Sequence, residues 1–547
     1  MRRIITITIF LLISFSGSLF AEKVIGVTAF QNLTKDKSIN WLELGIPDSI
    51  SHKLRNVKEY IVVDRTNVDK IIKEVQLGQS GIIDDKTAKK AGKALGADLI
   101  VVGSYQKYGN RIRITAKLVE VESHKVLKQV QSTGVMDNIF ELQDEIALRI
   151  INQTNISITK DVRNRITENF TSNVSAYEYY VKGQKFLLSQ LNYVQAIEMY
   201  DKAISIDSNY SLAYAGLGKA YSLRHWELRN YHNVIDTSLL EKSYENSKKA
   251  LEISPNLDEA HLSLGKYYQE VDKSKYPNKW KLCEESAKKA LEINPNNAEA
   301  LFLLSRVYGY DDKKEEEYLL KSIDKNKFLT DAHNNLGVIY LNHNKYDLAE
   351  KYFKNAIEID PEFKTGYMNL GVVYDRRNQL DKALEMYKTV LKKYPNYPLG
   401  LRNLGIGYRR LNKYDEALEQ FEKAIKVKGD DYKAWSEIGY IYLLKKEYRT
   451  AIKNYLIAFK YDANYYFTLA NLGYCYAEIG DYQNAVTYLK KAHNLHSDRA
   501  WPAGHLGWIY RYKLNDINNA KYWYNQAYNR NPNNSDYRKN LEDLSKQ

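Results

Sequence analysis

The chain has 547 residues, 44% of them hydrophobic and 27% charged, which excludes a disordered chain and leaves room for several domains or one long array. Its formal net charge of +13 comes from 80 Lys and Arg interleaved with 67 Asp and Glu. That mixture reads as solvated surface, and no nucleic-acid partner is expected. Two cysteines, Cys283 and Cys475, are too few for a disulfide framework.

Met1 to Ala21 has the parts of a secretory signal, with an uncleaved membrane anchor as the alternative. Arg2 and Arg3 supply the positive end, Ile4 to Phe15 the apolar stretch, and Ser18 to Ala21 a cleavage site. Cleavage removes two positive charges and lowers +13 to +11. No cysteine follows closely, so a lipid anchor there is not expected. No later run is long and apolar enough for a membrane span.

Residues 22–158 carry a different texture from the rest. Val24 to Phe30 reads as a buried strand, Trp41 to Val57 as a helix, and Tyr60 to Asp64 as a second strand. Helices follow at Val68 to Val75 and Lys86 to Leu95, the latter ended by Gly96-Ala97. Strands at Asp98 to Tyr105, Arg111 to Glu120 and Val126 to Gly134 come next, the last two joined by the turn Ser123-His124-Lys125. An amphipathic helix from Ile139 to Ile151 closes the domain. This order predicts a compact mixed sheet with helices packed on it. Residues 159–175 read as a linker.

From residue 176 to 534 the dominant signal is a period. Gly337, Gly371, Gly405, Gly439, Gly473 and Gly507 are spaced by 34 residues. Around each glycine a frame recurs, as in Leu336-Gly337, Tyr340, Ala349, Phe353, Ala356 and Pro361. Each unit reads as two amphipathic helices, with glycine and alanine permitting close approach and aromatics filling the remaining space. Units before residue 330 are degenerate, with insertions near Trp226 to Asp236 and Lys273 to Lys279 and with Ser305 replacing a glycine. About ten units are expected, with a polar capping helix at 535–547.

The repeat frame resembles the tetratricopeptide repeat (TPR) family. Residues 22–158 resemble an envelope family that includes the curli secretion protein CsgG, the flagellar-associated FlgO domain and the amino-terminal domain of TolB. The likeness runs through Val27 to Thr34, Val62-Val63-Asp64-Arg65, Leu95 to Ser104, Arg111 to Thr115, Leu118 to Val121 and Phe140 to Glu145. Two departures matter. The pore-forming member carries a lipid-anchoring cysteine and membrane-inserted hairpins, whereas here the first cysteine is Cys283 and there is little room for hairpins. The resemblance therefore implies a domain that docks or assembles at the envelope, not a secretion pore. The expected fold is multidomain: a small α/β mixed-sheet domain followed by an all-α TPR superhelical solenoid.

The sharpest candidate site is a row of asparagines. Asn335, Asn369, Asn403 and Asn471 each stand two residues before a repeat glycine, with Glu437 and His505 in the same place in the other late units. An asparagine offers a donor and an acceptor, matching the peptide unit of an extended ligand. The resemblance implies the same, since superhelical TPR proteins that bind peptides use such ladders. Arg402, Arg409, Arg410, Tyr440, Tyr474 and Trp508 are expected to border the same concavity, the arginines as bidentate carboxylate clamps. His493 and His496 have metal-like spacing near Asp498, but no further ligands converge in sequence. No Gly-x-Ser-x-Gly, His-Glu-x-x-His or phosphate-loop motif occurs.

The expectation is an exported, periplasmic scaffold or adaptor without enzymatic activity or cofactor. Its groove takes a protein or peptide partner, and its first domain docks to an outer-membrane or envelope complex. The alternative is an accessory protein holding an acidic polysaccharide in a basic groove.

Overall fold

The computed structural model describes residues 22–34, 36–76, 85–123, 126–189, 191–231 and 234–546. Residues 1–21, expected as a secretory signal, and the middle of the turn at Ser123 lie outside them. The chain divides into two compact units, Met1–Ala332 and His333–Gln547.

The first unit opens with a five-stranded sheet of order β2-β1-β3-β4-β5. The strands are β1 (Lys23–Asn32), β2 (Tyr60–Val62), β3 (Leu99–Tyr108), β4 (Arg111–Glu120) and β5 (Val126–Val135). β1 runs parallel to β2 and β3, and β3, β4 and β5 pair antiparallel. Helices α1 (Leu42–Arg55) and α4 (Ile139–Gln153) cover one face, and α2 (Arg65–Gln76) and α3 (Asp85–Leu95) cover the other. The strand sequences follow from that coverage. β3 reads as a continuous apolar run because Leu99, Val101 and Tyr105 face one core while Ile100 and Val102 face the other. β4 alternates instead, with Ile112, Ile114 and Ala116 buried between exposed or half-buried neighbours, until Leu118 and Val119 are buried on opposite faces. Each such aliphatic side chain contributes about 1.5–3 kcal/mol on full burial. Gly103 is needed where it stands, since a Cβ there would meet the Phe30 ring at 2.2 Å.

Residues 159–175, expected as a linker, are built into this core. Thr159 caps helix α5 (Lys160–Ile166) by accepting from the Val162 amide. Ile166 is fully buried in the sheet core. The buried Lys53 ammonium donates to the Ile166 carbonyl at 3.0 Å and pairs with Asp144. A cation at the carbonyl end of a short helix compensates its unpaired acceptors. Charge and capping, which a linker reading ignores, tie the segment down.

Four helix pairs complete the first unit. They are α6 (Val174–Gln184) with α7 (Tyr193–Ile206), α8 (Ser211–Tyr231) with α9 (Thr237–Ile253), α10 (Asp258–Glu270) with α11 (Lys279–Ile293), and α12 (Ala298–Val307) with α13 (Asp312–Lys325). α6 continues into a π-helical turn at Lys185–Ser189. The first helix of the array shares the sheet domain's core: Tyr177 and Val181 pack in it, and the Tyr177 hydroxyl donates to the Gly45 carbonyl. Further on, Asn296 donates to the carbonyls of Lys58 and Tyr60 at 3.1 and 3.0 Å, and Glu259 pairs with His52 at 3.2 Å.

The second unit begins within α14 (Thr330–Asn342) and contains α15 (Tyr346–Ile359), α16 (Lys364–Arg376), α17 (Leu380–Lys393), α18 (Pro398–Arg410) and α19 (Tyr414–Val427). It continues through α20 (Tyr432–Leu444), α21 (Tyr448–Tyr461), α22 (Tyr466–Glu478), α23 (Tyr482–Leu495), α24 (Ala500–Tyr512) and α25 (Ile517–Arg530), and ends with α26 (Ser535–Ser545). α26 lays Leu544 against the last pair. Each repeat glycine faces the large side chain of its partner helix: Gly337 meets Phe353, Gly371 meets Tyr387 and Gly405 meets Phe421. The turn between paired helices repeats too. Asn344, Asn378, Asn412, Lys446 and Gly480 all have positive φ, seven residues after their glycines. Asparagine and glycine tolerate that left-handed conformation best.

Candidate partner-binding face

In the second unit consecutive first helices from α16 to α24 pack on one another more closely than consecutive second helices do. The first helices therefore form the inner face, and the candidate residues lie on them.

Asn335, Asn369, Asn403 and Asn471 are half-buried at matching places on α14, α16, α18 and α22. Two are joined through a residue the sequence reading passed over. Asn369 donates to Asn334 at 2.9 Å, and Asn334 donates to Asn335 at 3.4 Å. The remaining two positions of the row carry other chemistry. Glu437 is held by Arg409 at 2.9 Å, and burial raises its carboxyl above the usual range. His505 lies against Trp501 with ring centroids 3.9 Å apart, and burial lowers its basicity.

The arginines differ from expectation. Arg402 binds Asp431, Arg409 binds Glu437, and Arg410 binds Asp375 and Asn378. Each bond joins one first helix to the neighbouring repeat. Charge-assisted contacts of this kind fix the spacing of successive repeats, so these guanidiniums act as staples within the array. The carboxylates that claim them lie 28–35 residues away in sequence, beyond reach of a motif-based reading.

The aromatic positions range from half-buried to exposed. Tyr440 is half-buried beneath the Arg409 guanidinium, 5.0 Å from its ring centre. Tyr474 stands edge-on to His505 at 5.6 Å and near Trp501 at 6.1 Å. Trp508 is 38% exposed, with the Lys513 ammonium 5.0 Å from its ring. Phe467 and Trp501, 50% and 37% exposed, extend the same surface. The Arg499 guanidinium covers Phe467 and Tyr466. These two were also legible, since Phe467 and Trp501 are themselves one repeat step apart, six residues before their glycines.

His493 is buried edge-on against Trp523, and His496 faces Asp498 at 3.7 Å. Among the described residues no three His, Cys, Asp or Glu side chains gather into a metal-binding group. Both cysteines are free and buried. Among the same residues no helix is long and apolar enough to cross a membrane.

A register comparison separates the two units. The residue after the repeat glycine is Lys219 and Lys266 in α8 and α10, but Tyr440, Tyr474 and Trp508 in α20, α22 and α24. Six residues before the glycine, or before Ser305, stand Glu259 and Glu299 in α10 and α12, but Phe467 and Trp501 in α22 and α24. The positions that carry charge in α10 and α12 carry aromatic rings in α22 and α24, whereas the residue after the glycine in α14, α16 and α18 is Val338, Val372 and Ile406.

Comparison with known proteins matches different families to the two ends of the chain. The family described as curli production assembly/transport component CsgG matches residues 16–117. Tetratricopeptide repeat families match residues 330–363, 365–429, 402–458, and 468–495 with 504–534. A curated relative, "Putative adenylate cyclase 3" of Rhizobium meliloti (strain 1021), is 24% identical over 199 residues, covering 36% of this chain and 32% of that protein. The chain thus spans about a third of the length of the curated relative it matches. Among solved structures, "Crystal structure of APC/C hetero-tetramer Cut9-Hcn1" is 18% identical with a TM-score of 0.40, covering 75% of this chain and 84% of that one. "Functional Characterization of Pseudomonas Aeruginosa pilF" is 19% identical with a TM-score of 0.36, covering 40% and 97%. "Crystal structure of YrrB: a TPR protein with an unusual peptide-binding site" is 21% identical with a TM-score of 0.27, covering 34% and 96%. The chain carries a segment of the CsgG family followed, from residue 330 onward, by tetratricopeptide repeats.

Proposed function

We propose that the protein is an exported scaffold that binds a protein or peptide partner on the inner face of the second unit, while its CsgG-family segment docks to a component of the cell envelope. The observation that carries this reading is the group of aromatic side chains on the first helices of the last repeats, Phe467 and Tyr474 on α22 and Trp501 and Trp508 on α24. Exposed Trp501, Trp508 and Phe467 offer the large, rigid apolar surface that dominates binding energy at protein interfaces. Half-buried asparagines at the same register, Asn471 on α22 and Asn335, Asn369 and Asn403 on earlier first helices, supply paired donors and acceptors for an extended main chain. On this reading the protein acts by non-covalent recognition, and the cyclase activity named for its relative does not transfer. The acidic-polymer alternative loses support, because Arg402, Arg409 and Arg410 hold carboxylates of the chain itself.

The test uses the whole exported chain, since Tyr177 and Val181 of the first repeat helix belong to the sheet domain's core. A partner is identified by crosslinking in envelope fractions, and its affinity is then measured with purified variants. Alanine at Asn335, Asn369, Asn403 and Asn471 together is expected to weaken binding at least tenfold with helicity intact. Trp501→Ala with Trp508→Ala is expected to do the same. Unchanged affinity in both variants refutes the groove as the recognition surface.

A further inference from the structure

Within the first unit, α1 and the end of β2 face the first helices α8, α10 and α12 across a cavity of about 240 Å3. Its size lies below the ~300–1,000 Å3 of pockets for drug-sized ligands, which limits an occupant to a small metabolite. Its lining is dense in charge and balanced: six carboxylates against six Lys or Arg cations, with His52 beside them.

Most of these charges are matched within the chain. Lys219 and Lys266 take the two oxygens of Glu299, one each. Glu259 uses Oε1 for both His52 at 3.2 Å and Arg55 at 3.8 Å. Arg65 uses Nη1 for Asp48 Oδ1 at 2.9 Å and for the Leu44 carbonyl at 3.2 Å. What is left over is specific. Arg65 is 4% exposed, and its Nη2 has no hydrogen-bond partner in the chain. Asp48 Oδ2 and Glu259 Oε2 are likewise without one. Buried polar groups are normally satisfied, and a charged group left without a partner is costly.

The geometry points to this cavity as a binding site for a small zwitterion of amino-acid size. An oxyanion on the occupant answers the spare guanidinium N–H of Arg65 and the unused N–H groups of Lys219 and Lys266. An ammonium on the same molecule answers the spare oxygens of Asp48 and Glu259. Spare groups of both signs favour a ligand that carries both charges, because a single-sign ion would leave one kind unanswered. Arg65 and Asp48 come from the sheet domain, and Glu259, Lys219 and Lys266 from the repeats. The occupant therefore bridges the two and ties them together.

The test is a thermal-shift and calorimetric titration of the whole exported chain with free proteinogenic amino acids. Succinate, 1,5-diaminopentane and sodium chloride serve as single-sign and ionic-strength controls. At a hundredfold excess over Kd one or more amino acids are expected to raise Tm by about 5 °C, while the controls do not. The variant Lys219→Met with Lys266→Met and Glu299→Leu removes both lysines together with the carboxylate they share. It is expected to abolish the shift. Glu259→Gln is the milder second variant, expected to weaken binding about tenfold, with circular dichroism confirming the fold of each. No shift with any amino acid, or equal shifts with the controls, means the cavity holds water only and overturns the proposal. A shift that survives in both variants places the ligand elsewhere and overturns it as well. These readouts do not involve the partner-binding face, so the two proposals fail separately.

Discussion

Replacing Gly371 by leucine tests the packing on which the array depends. A Cβ at Gly371 would stand 2.3 Å from Cε1 of Tyr387 and 2.9 Å from its Cδ1 and Cζ. Tyr387 is 3% exposed, so its ring has nowhere to turn, and α16 and α17 must separate by close to an ångström. Overpacking of this kind costs ~1–3 kcal/mol for a few added carbons. Alanine recovers part of the loss, because it is favoured over glycine in a helix by ~1 kcal/mol. Leucine adds three further carbons and belongs at the upper end, about 3 kcal/mol. For a unit of this size each kcal/mol moves Tm by ~2–4 °C, so Gly371→Leu is expected to lower it by roughly 6–12 °C. Gly371→Ala falls between it and the parent. Gly429→Leu is the control, because the nearest atom to a Cβ there is the Ile425 carbonyl oxygen at 3.8 Å. The assay is thermal unfolding followed by circular dichroism and calorimetry. If Gly371→Leu melts within a degree or two of the control, the helix pair is not closed on the glycine and the repeat frame is misplaced.

Three other outcomes follow from the same structure. Lys446 holds the left-handed turn position that asparagine fills in three other repeats, so Lys446→Asn is expected to stabilise by ~0.5–1 kcal/mol; a lower Tm would refute the strain. Burial pushes the Asp48 carboxyl up to about 6, against the pull of Arg65. A raised acid stabilises the fold below its unfolded value near 4, and that contribution is lost as pH rises through 6. Asp48→Asn should therefore gain on the parent between pH 4 and 7, by up to about 3 kcal/mol in urea unfolding; a constant difference across that range would contradict the assignment. Burial pushes both thiols, Cys283 and Cys475, up to about 12. Neither should react with a disulfide reagent at pH 8 until urea unfolds the chain, and rapid reaction of the folded protein would place them at the surface.

Legibility in the sequence varied with the range of the forces involved. The 34-residue glycine step, the alternation of β4 and the continuous apolar run of β3 are local patterns, imposed by helix and strand periodicity on any face that must be buried. They determined the repeat pairs and the sheet, and they placed Asn335, Asn369, Asn403 and Asn471 in one register. The tertiary structure alone decided which of these side chains are free. Arg402, Arg409 and Arg410 looked like ligand clamps because arginine suits that role, yet carboxylates one repeat away satisfy them. The supposed linker became part of a core because the Lys53 ammonium, more than a hundred residues distant in sequence, reaches the end of α5. Hydrophobic periodicity acts along one element and can be read from it. Charge pairing and cavity formation act between elements far apart in sequence, and only the folded chain brings those groups within reach of one another.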